Sequence, residues 1–342
     1  MNRTHYRIAT LSMVFAGASL FALAAQAGPK IVLADLNWDE PRAVNAVLAQ
    51  ILTEKFDAKI EMVAADQAVI FSAMALGDGS IDVHPAIWAG ARKADIDRYV
   101  TQDGTVRLNA VPYLAEDGFY VPRVFAEAHG IRSVEDLANP EIAALLDVNG
   151  DGRGDYWPGA PGWAVTNIST VKFKSYGLSK LYDPLIASDA LMKVQLESSY
   201  ARGEGMLFYY WTPEALHLKY DLVKLQEPAF DGFAMAGMVG QPGYNPDGCY
   251  NYVDPTTDPD WLEKSAIRCA APPNPVHIGY SSALAKRAPD VAAFLSNVAI
   301  KQEEVAGWLY EMSVNHKEPA QVASEWIAKN PNRVTEWLAT SH

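Results

Sequence analysis

The run KIVLADLNWDEPRAVNAVLAQILTEKF, residues 30–56, changes its hydrophobic period partway along. Lys30 to Leu36 is a nearly continuous apolar stretch and reads as a buried strand. From Pro41 to Phe56 the apolar positions Val44, Val47, Leu48, Ile51 and Leu52 recur at helical spacing. Asp39 stands just ahead of that helix as its expected N-cap, and Glu40 would favour its positive N-terminal end. The alternation continues outward: Lys59 to Val63 reads as a second strand, Gln67 to Leu76 as a second helix and Ile81 to His84 as a third strand. Such a start implies an α/β fold with a parallel sheet and helices on both faces. Further on, Gly118 to Pro122 and Met206 to Tyr210 read as extended, Val134 to Ala138 and Leu178 to Tyr200 as helical. Ser281 to Leu338 reads as mostly helical, broken at Ala288-Pro289 and Glu318-Pro319.

With 342 residues, 49% apolar and 20% charged, the chain fits a globular protein of about two domains. Its net charge of −13, with no run of Lys or Arg, argues against a nucleic-acid partner. Residues 1–27 read as a cleaved signal peptide: Arg3 and Arg7 give a positive start, Ile8 to Leu23 an apolar run, and Ala25-Gln26-Ala27 a cleavage site. A periplasmic location is therefore expected, and no later segment is apolar enough to span a bilayer. In that oxidising compartment Cys249 and Cys269 are expected to form a structural disulfide, worth about 3 kcal/mol in the chain-entropy model.

Ligands of open α/β sheets bind beyond the carboxyl ends of the strands. Trp38 follows the first strand, Trp88 the third, and Trp211 lies in Phe208-Tyr209-Tyr210-Trp211-Thr212-Pro213. Trp163 sits in the Gly/Pro-rich loop Pro158 to Trp163, where no periodic pattern demands an indole. Each could equally serve packing. Trp157, Trp261, Trp308, Trp326 and Trp337 are assigned to packing. Asp147, Asn149, Asp151 and Asp155 resemble the first positions of a calcium loop, but Pro158 stands where the closing carboxylate belongs, so a tight acidic turn is the competing reading. A hydrolase of choline compounds would need an activated nucleophile. The chain has neither G-x-S-x-G nor H-E-x-x-H, and its histidines are scattered, so no enzymatic activity and no cofactor are expected.

Taken with Gly79 to Trp88, Leu146 to Asp155 and Pro161-Gly162-Trp163, the stretches Val32 to Trp38 and Phe208 to Pro213 resemble the glycine betaine, proline betaine and choline-binding proteins of ABC transporters. The resemblance implies a bilobal periplasmic-binding-protein fold, type II-like, each lobe a central sheet flanked by helices and joined to the other by a hinge. Lobe 1 is expected over 28–115 plus 230–342 and lobe 2 over 116–229. It also implies a monomer that captures a quaternary ammonium ligand and delivers it to an inner-membrane ABC permease. By the same resemblance Trp88, Trp163 and Trp211 match box tryptophans, Trp38 an aromatic used in some members, and Tyr120 a further ring.

A quaternary ammonium has no N–H to donate, so π faces and shape must recognise it. Three faces give roughly 1.5–6 kcal/mol, whereas micromolar binding needs about 8. A second anchor is therefore expected. For a betaine carboxylate it would be Arg92 with the backbone N–H groups of Ala164 and Val165; for choline it would be Asp39 or Glu40. Asn167 could serve either, and carnitine or a sulfonium analogue stays open.

Overall fold

The computed structural model describes Met1 and residues 28–339; the expected signal peptide lies outside the described residues. Strand β1 (Lys30–Asp35) leads through helix α1 (Asp39–Phe56) to β2 (Lys59–Ala64), and helix α2 (Gln67–Leu76) to β3 (Val83–Trp88). β1 runs parallel to both β2 and β3, as the opening periodicity implies. The strands that follow are β4 (Val106–Leu108), β5 (Tyr113–Pro122), β6 (Gly154–Trp157), β7 (Tyr182–Pro184), β8 (Leu207–Thr212) and β9 (Leu222–Lys224). After them come the short β10 (Tyr250–Asn251) and β11 (Ala266–Ile267), then β12 (Asn274–Ser281).

The main sheet has the order β2-β1-β3-β12-β5-β8-β6-β7, with β4 also beside β12 and β9 beside β5. It is mixed rather than parallel throughout. β12 returns from late in the chain and enters antiparallel to β3, and β5 is antiparallel to β12 and to β8. β5 serves two sheets in turn: Tyr113 to Ala115 pair with β12, and Glu116 to Tyr120 pair with β8. The architecture is the bilobal α/β fold, each half carrying its own set of parallel strands.

Two sequence expectations shift. The helix read over Leu178 to Tyr200 is interrupted by β7, which ends at Pro184, a residue without an N–H for a helix ladder. It restarts as Asp189–Arg202, capped by the Ser188 hydroxyl accepting from the Leu191 N–H. Residues 230–271, expected in lobe 1, pack instead on the helix Ala164–Ser175. Ile168 and Val171 of that helix form one apolar cluster with Tyr250, Tyr252, Ile267 and the bonded pair Cys249 and Cys269. The C-terminal helices Gln302–Ser313 and Pro319–Lys329 pack on α1, and breaks fall at Ala288 and Glu318, each followed by a proline that opens the next helix. Trp308, Trp326 and Trp337 stack among these helices.

Candidate functional site

Residues from both halves enclose a cavity of about 210 Å³. Four tryptophans at element ends line it: Trp38 at the start of α1, Trp88 closing β3, Trp163 at the start of the helix Ala164–Ser175, and Trp211 near the end of β8. Their rings meet in sequence, Trp38 to Trp163 at 5.3 Å, Trp163 to Trp211 at 5.4 Å and Trp211 to Trp88 at 6.2 Å, all close to edge-on. Rings meeting edge to face keep π surface unstacked, so the four make walls rather than a pile.

Hydrogen bonds fix three of these indoles, while the Trp211 N–H is buried without a partner among the described residues. The fully buried Glu40 accepts from Trp38 Nε1–H at 3.1 Å, from Trp88 Nε1–H at 3.2 Å and from the Tyr113 hydroxyl. Burial pushes its carboxyl up to about 8, against the two indole hydrogen bonds, which lower it. Trp163 Nε1–H donates to Asn37 Oδ1 at 2.9 Å, a bond between the two halves. Below lies an ion cluster in which Lys193 Nζ is 2.8 Å from Asp39, 2.9 Å from Asp189 and 3.5 Å from Glu214. Burial pushes the Glu214 carboxyl up to about 7, while Lys193 holds it down.

Among the other expected residues, Ala164 and Val165 line the cavity as the first residues of a helix, where N–H groups lie beyond intrahelical partners. Arg92 does not line it. The chain turns directly after β3, the Arg92 N–H bonding Trp88 C=O, and the guanidinium is buried against Gln67 Oε1 at 2.9 Å and Asp95 at 3.3 Å. Tyr120 sits on the other face of β5, its ring beside Phe208 and His217, because alternate strand residues face opposite ways. Asn167 pairs with the Tyr252 hydroxyl. Asp39 is the first helical residue rather than the cap, and its carboxylate is spent on Lys193. Glu40 lies behind the indoles rather than in the cavity.

Sequence reasoning missed Asp117, Phe119, Ser169, Lys172, Tyr209, Phe233 and Tyr250, all of which line the cavity. Tyr209 was within reach, being two residues before Trp211 and hence on the same strand face. Lys172, between the buried Val171 and Phe173, was another available signal. It pairs with Glu227 at 2.7 Å, while the Tyr209 hydroxyl donates to Asp117 at 3.1 Å.

The acidic turn is built for itself. Asp147 accepts from the N–H groups of Gly150, Asp151 and Gly152, Asp151 from that of Arg153, and Asp155 from those of Val148 and Asn149. Those bonds close the turn on its own backbone. Among the described residues no group of three or more His, Cys, Asp and Glu side chains is placed to hold a metal.

Known proteins share this architecture. Lactococcal OpuAC, solved closed with glycine betaine, superposes with a TM-score of 0.66 at 20% identity, covering 91% of this chain and 100% of that one. An ABC-transporter choline-binding protein in complex with choline gives 0.65 at 19% identity, covering 91% and 93%. The glycine betaine/proline betaine-binding periplasmic protein of Salmonella typhimurium is 29% identical over 118 residues, and its Escherichia coli counterpart 30% identical over 118. These alignments span about a third of each partner, 33% of this chain and 36% of those relatives. Across residues 29–329 the chain matches the substrate binding domain of ABC-type glycine betaine transport systems, and it belongs to that family of solute-binding proteins.

Proposed function

We propose that the protein is the periplasmic solute-binding component of an ABC importer that captures a quaternary ammonium compound, glycine betaine or a related betaine. The observation that carries this reading is the ring of four indoles about one cavity, drawn from both halves of the molecule. A trimethylammonium group held there meets π faces on several sides, each contributing about 0.5–2 kcal/mol. Ala164 and Val165, at the N-terminus of a 12-residue helix, stand where their N–H groups and the helix dipole would receive a carboxylate. Ligand contacts made with both halves at once favour the closed form, which a membrane permease would recognise. The protein binds and releases without catalysis.

The test is calorimetric titration of refolded, ligand-stripped protein with glycine betaine, proline betaine, choline, carnitine and dimethylsulfoniopropionate. Trp211→Ala should weaken the best of these by about 1–3 kcal/mol through lost cation-π contact and buried area. Silence from the whole panel, or wild-type affinity in Trp211→Ala, sinks the assignment.

A further inference from the structure

Behind the tryptophans the two halves bring their acids together. Asp39 and Glu40 open α1 in the first half, while in the second Asp189 opens the helix Asp189–Arg202 and Glu214 follows β8. Only two cations stand against these four carboxyls. Lys193 Nζ reaches Asp39 at 2.8 Å and Asp189 at 2.9 Å but Glu214 only at 3.5 Å, and Arg42 lies at the exposed edge, 3.8 Å from Asp39. With every group ionised, four carboxylates against two cations leave the cluster at −2.

The shortfall falls on Glu40 and Glu214. Glu40 is fully buried and enters no ion pair among the described residues; it faces two indole N–H groups, the Tyr113 hydroxyl and, from the opposite half, Glu214. Glu214 accepts from the Ala215 N–H, leaves its other oxygen without a hydrogen bond, and faces Asp39, Asp189, Glu40 and the Tyr210 phenol as well as Lys193. Carboxyls buried with too little positive charge keep their protons near neutral pH. Both adjoin the cage: Glu40 holds the Nε1 edges of Trp38 and Trp88, whose rings line the cavity, and Glu214 stands three residues past Trp211. We propose that this cluster exchanges protons for the ligand's positive charge: the empty site keeps protons on Glu40 and Glu214, and a trimethylammonium group entering the cage displaces them, so that capture releases protons and tightens as pH rises. The proposal rests on the tryptophans acting as the cation cage.

The magnitude is sufficient. A unit positive charge about 6 Å from a carboxylate, at an effective dielectric of about 20, lowers its proton affinity about a hundredfold. That turns a carboxyl mostly protonated at neutral pH into one mostly ionised. The sign follows from linkage. A complex that holds fewer protons than the empty site associates more tightly as pH rises, by at most about tenfold per pH unit for each proton released.

The experiment titrates the refolded protein calorimetrically with glycine betaine, choline and tetramethylammonium, none of which titrates near neutral pH. Paired runs in phosphate and in Tris at about pH 7.5 give the protons released from the difference in heat. About one proton should leave for each ligand bound, and affinity should rise about three- to tenfold from pH 6.5 to 7.5. Glu40→Gln should remove most of the release and flatten that rise, and Glu214→Gln should reduce both. Binding with no proton released, or with protons taken up, overturns the exchange on the wild-type protein alone and leaves the cage standing. Release that persists at the wild-type level in both variants places the proton elsewhere, on Asp117 of the cavity wall for example, and overturns it as well. Failure of all three compounds to bind overturns the exchange and the cage together.

Discussion

Glu40 shows how one side chain can organise a site without entering it. A carboxyl that accepts two indole N–H bonds and one phenol O–H fixes Trp38 and Trp88 relative to each other. Its carboxyl is raised from the ordinary range to about 8 in the folded protein, so folding binds its proton more tightly than the unfolded chain does. The contribution is complete below about pH 4.5 and is lost as pH climbs to about 8, with a slope of at most about 1.4 kcal/mol per pH unit. Urea unfolding between pH 5 and 8 should therefore show declining stability. Glu40→Gln, which keeps an acceptor for the indoles, should flatten most of that decline, Glu214 supplying the remainder in the same direction. An unchanged slope in Glu40→Gln would show that the proton resides elsewhere. The indoles were legible as candidates, because no periodic pattern demands Trp38, Trp88, Trp163 and Trp211 at strand ends or in a Gly/Pro loop, although packing was an equal reading for each. The role of Glu40 was not, since it depends on Trp88, 48 positions away, arriving at the same oxygen. Arg92 was misplaced for a similar reason: one turn past Trp88 in sequence says nothing about which way the chain bends.

At the scale of elements, the helix Ala164–Ser175 is walled on one side by the cavity and backed by the segment that carries the disulfide. Phe233 and Tyr250 of that segment reach the cavity, so the bond between Cys249 and Cys269 supports part of its wall. Replacing both cysteines by alanine should lower stability by about 3 kcal/mol, from the chain entropy of the opened loop. It should also weaken ligand binding several-fold. Calorimetric melting and titration of the same double variant check both, and intact affinity at reduced stability would separate this segment from the site. The opening strands and helices were readable from period alone, since apolar runs and helical spacing are local properties. The interruption at β7 and the packing of residues 230–271 were not, because both are set by neighbours distant in sequence.

For the whole molecule, the polar links between the two halves among the described residues include the Trp163 to Asn37 hydrogen bond and the ion pair of Asp39 with Lys193. Both Asp39 and Lys193 remain partly exposed, so their pair contributes no more than about 1 kcal/mol. Asp39→Asn should accordingly raise the ligand dissociation rate about two- to fivefold in stopped-flow fluorescence while leaving the melting temperature nearly unchanged. A large loss of stability instead would assign Asp39 to the fold rather than to closure. The two-lobed plan itself came from motif resemblance, and no local pattern announces that β5 would be shared between sheets. That sharing, together with the late return of β12, fixes an order of assembly. The slot between β3 and β5 is filled by residues made only after the entire second lobe has emerged. A chain synthesised from its N-terminus therefore carries a first lobe with an open seam, unable to complete its core until Asn274 to Ser281 arrive. The second lobe can condense early, and the last strand to be delivered is the one that locks both.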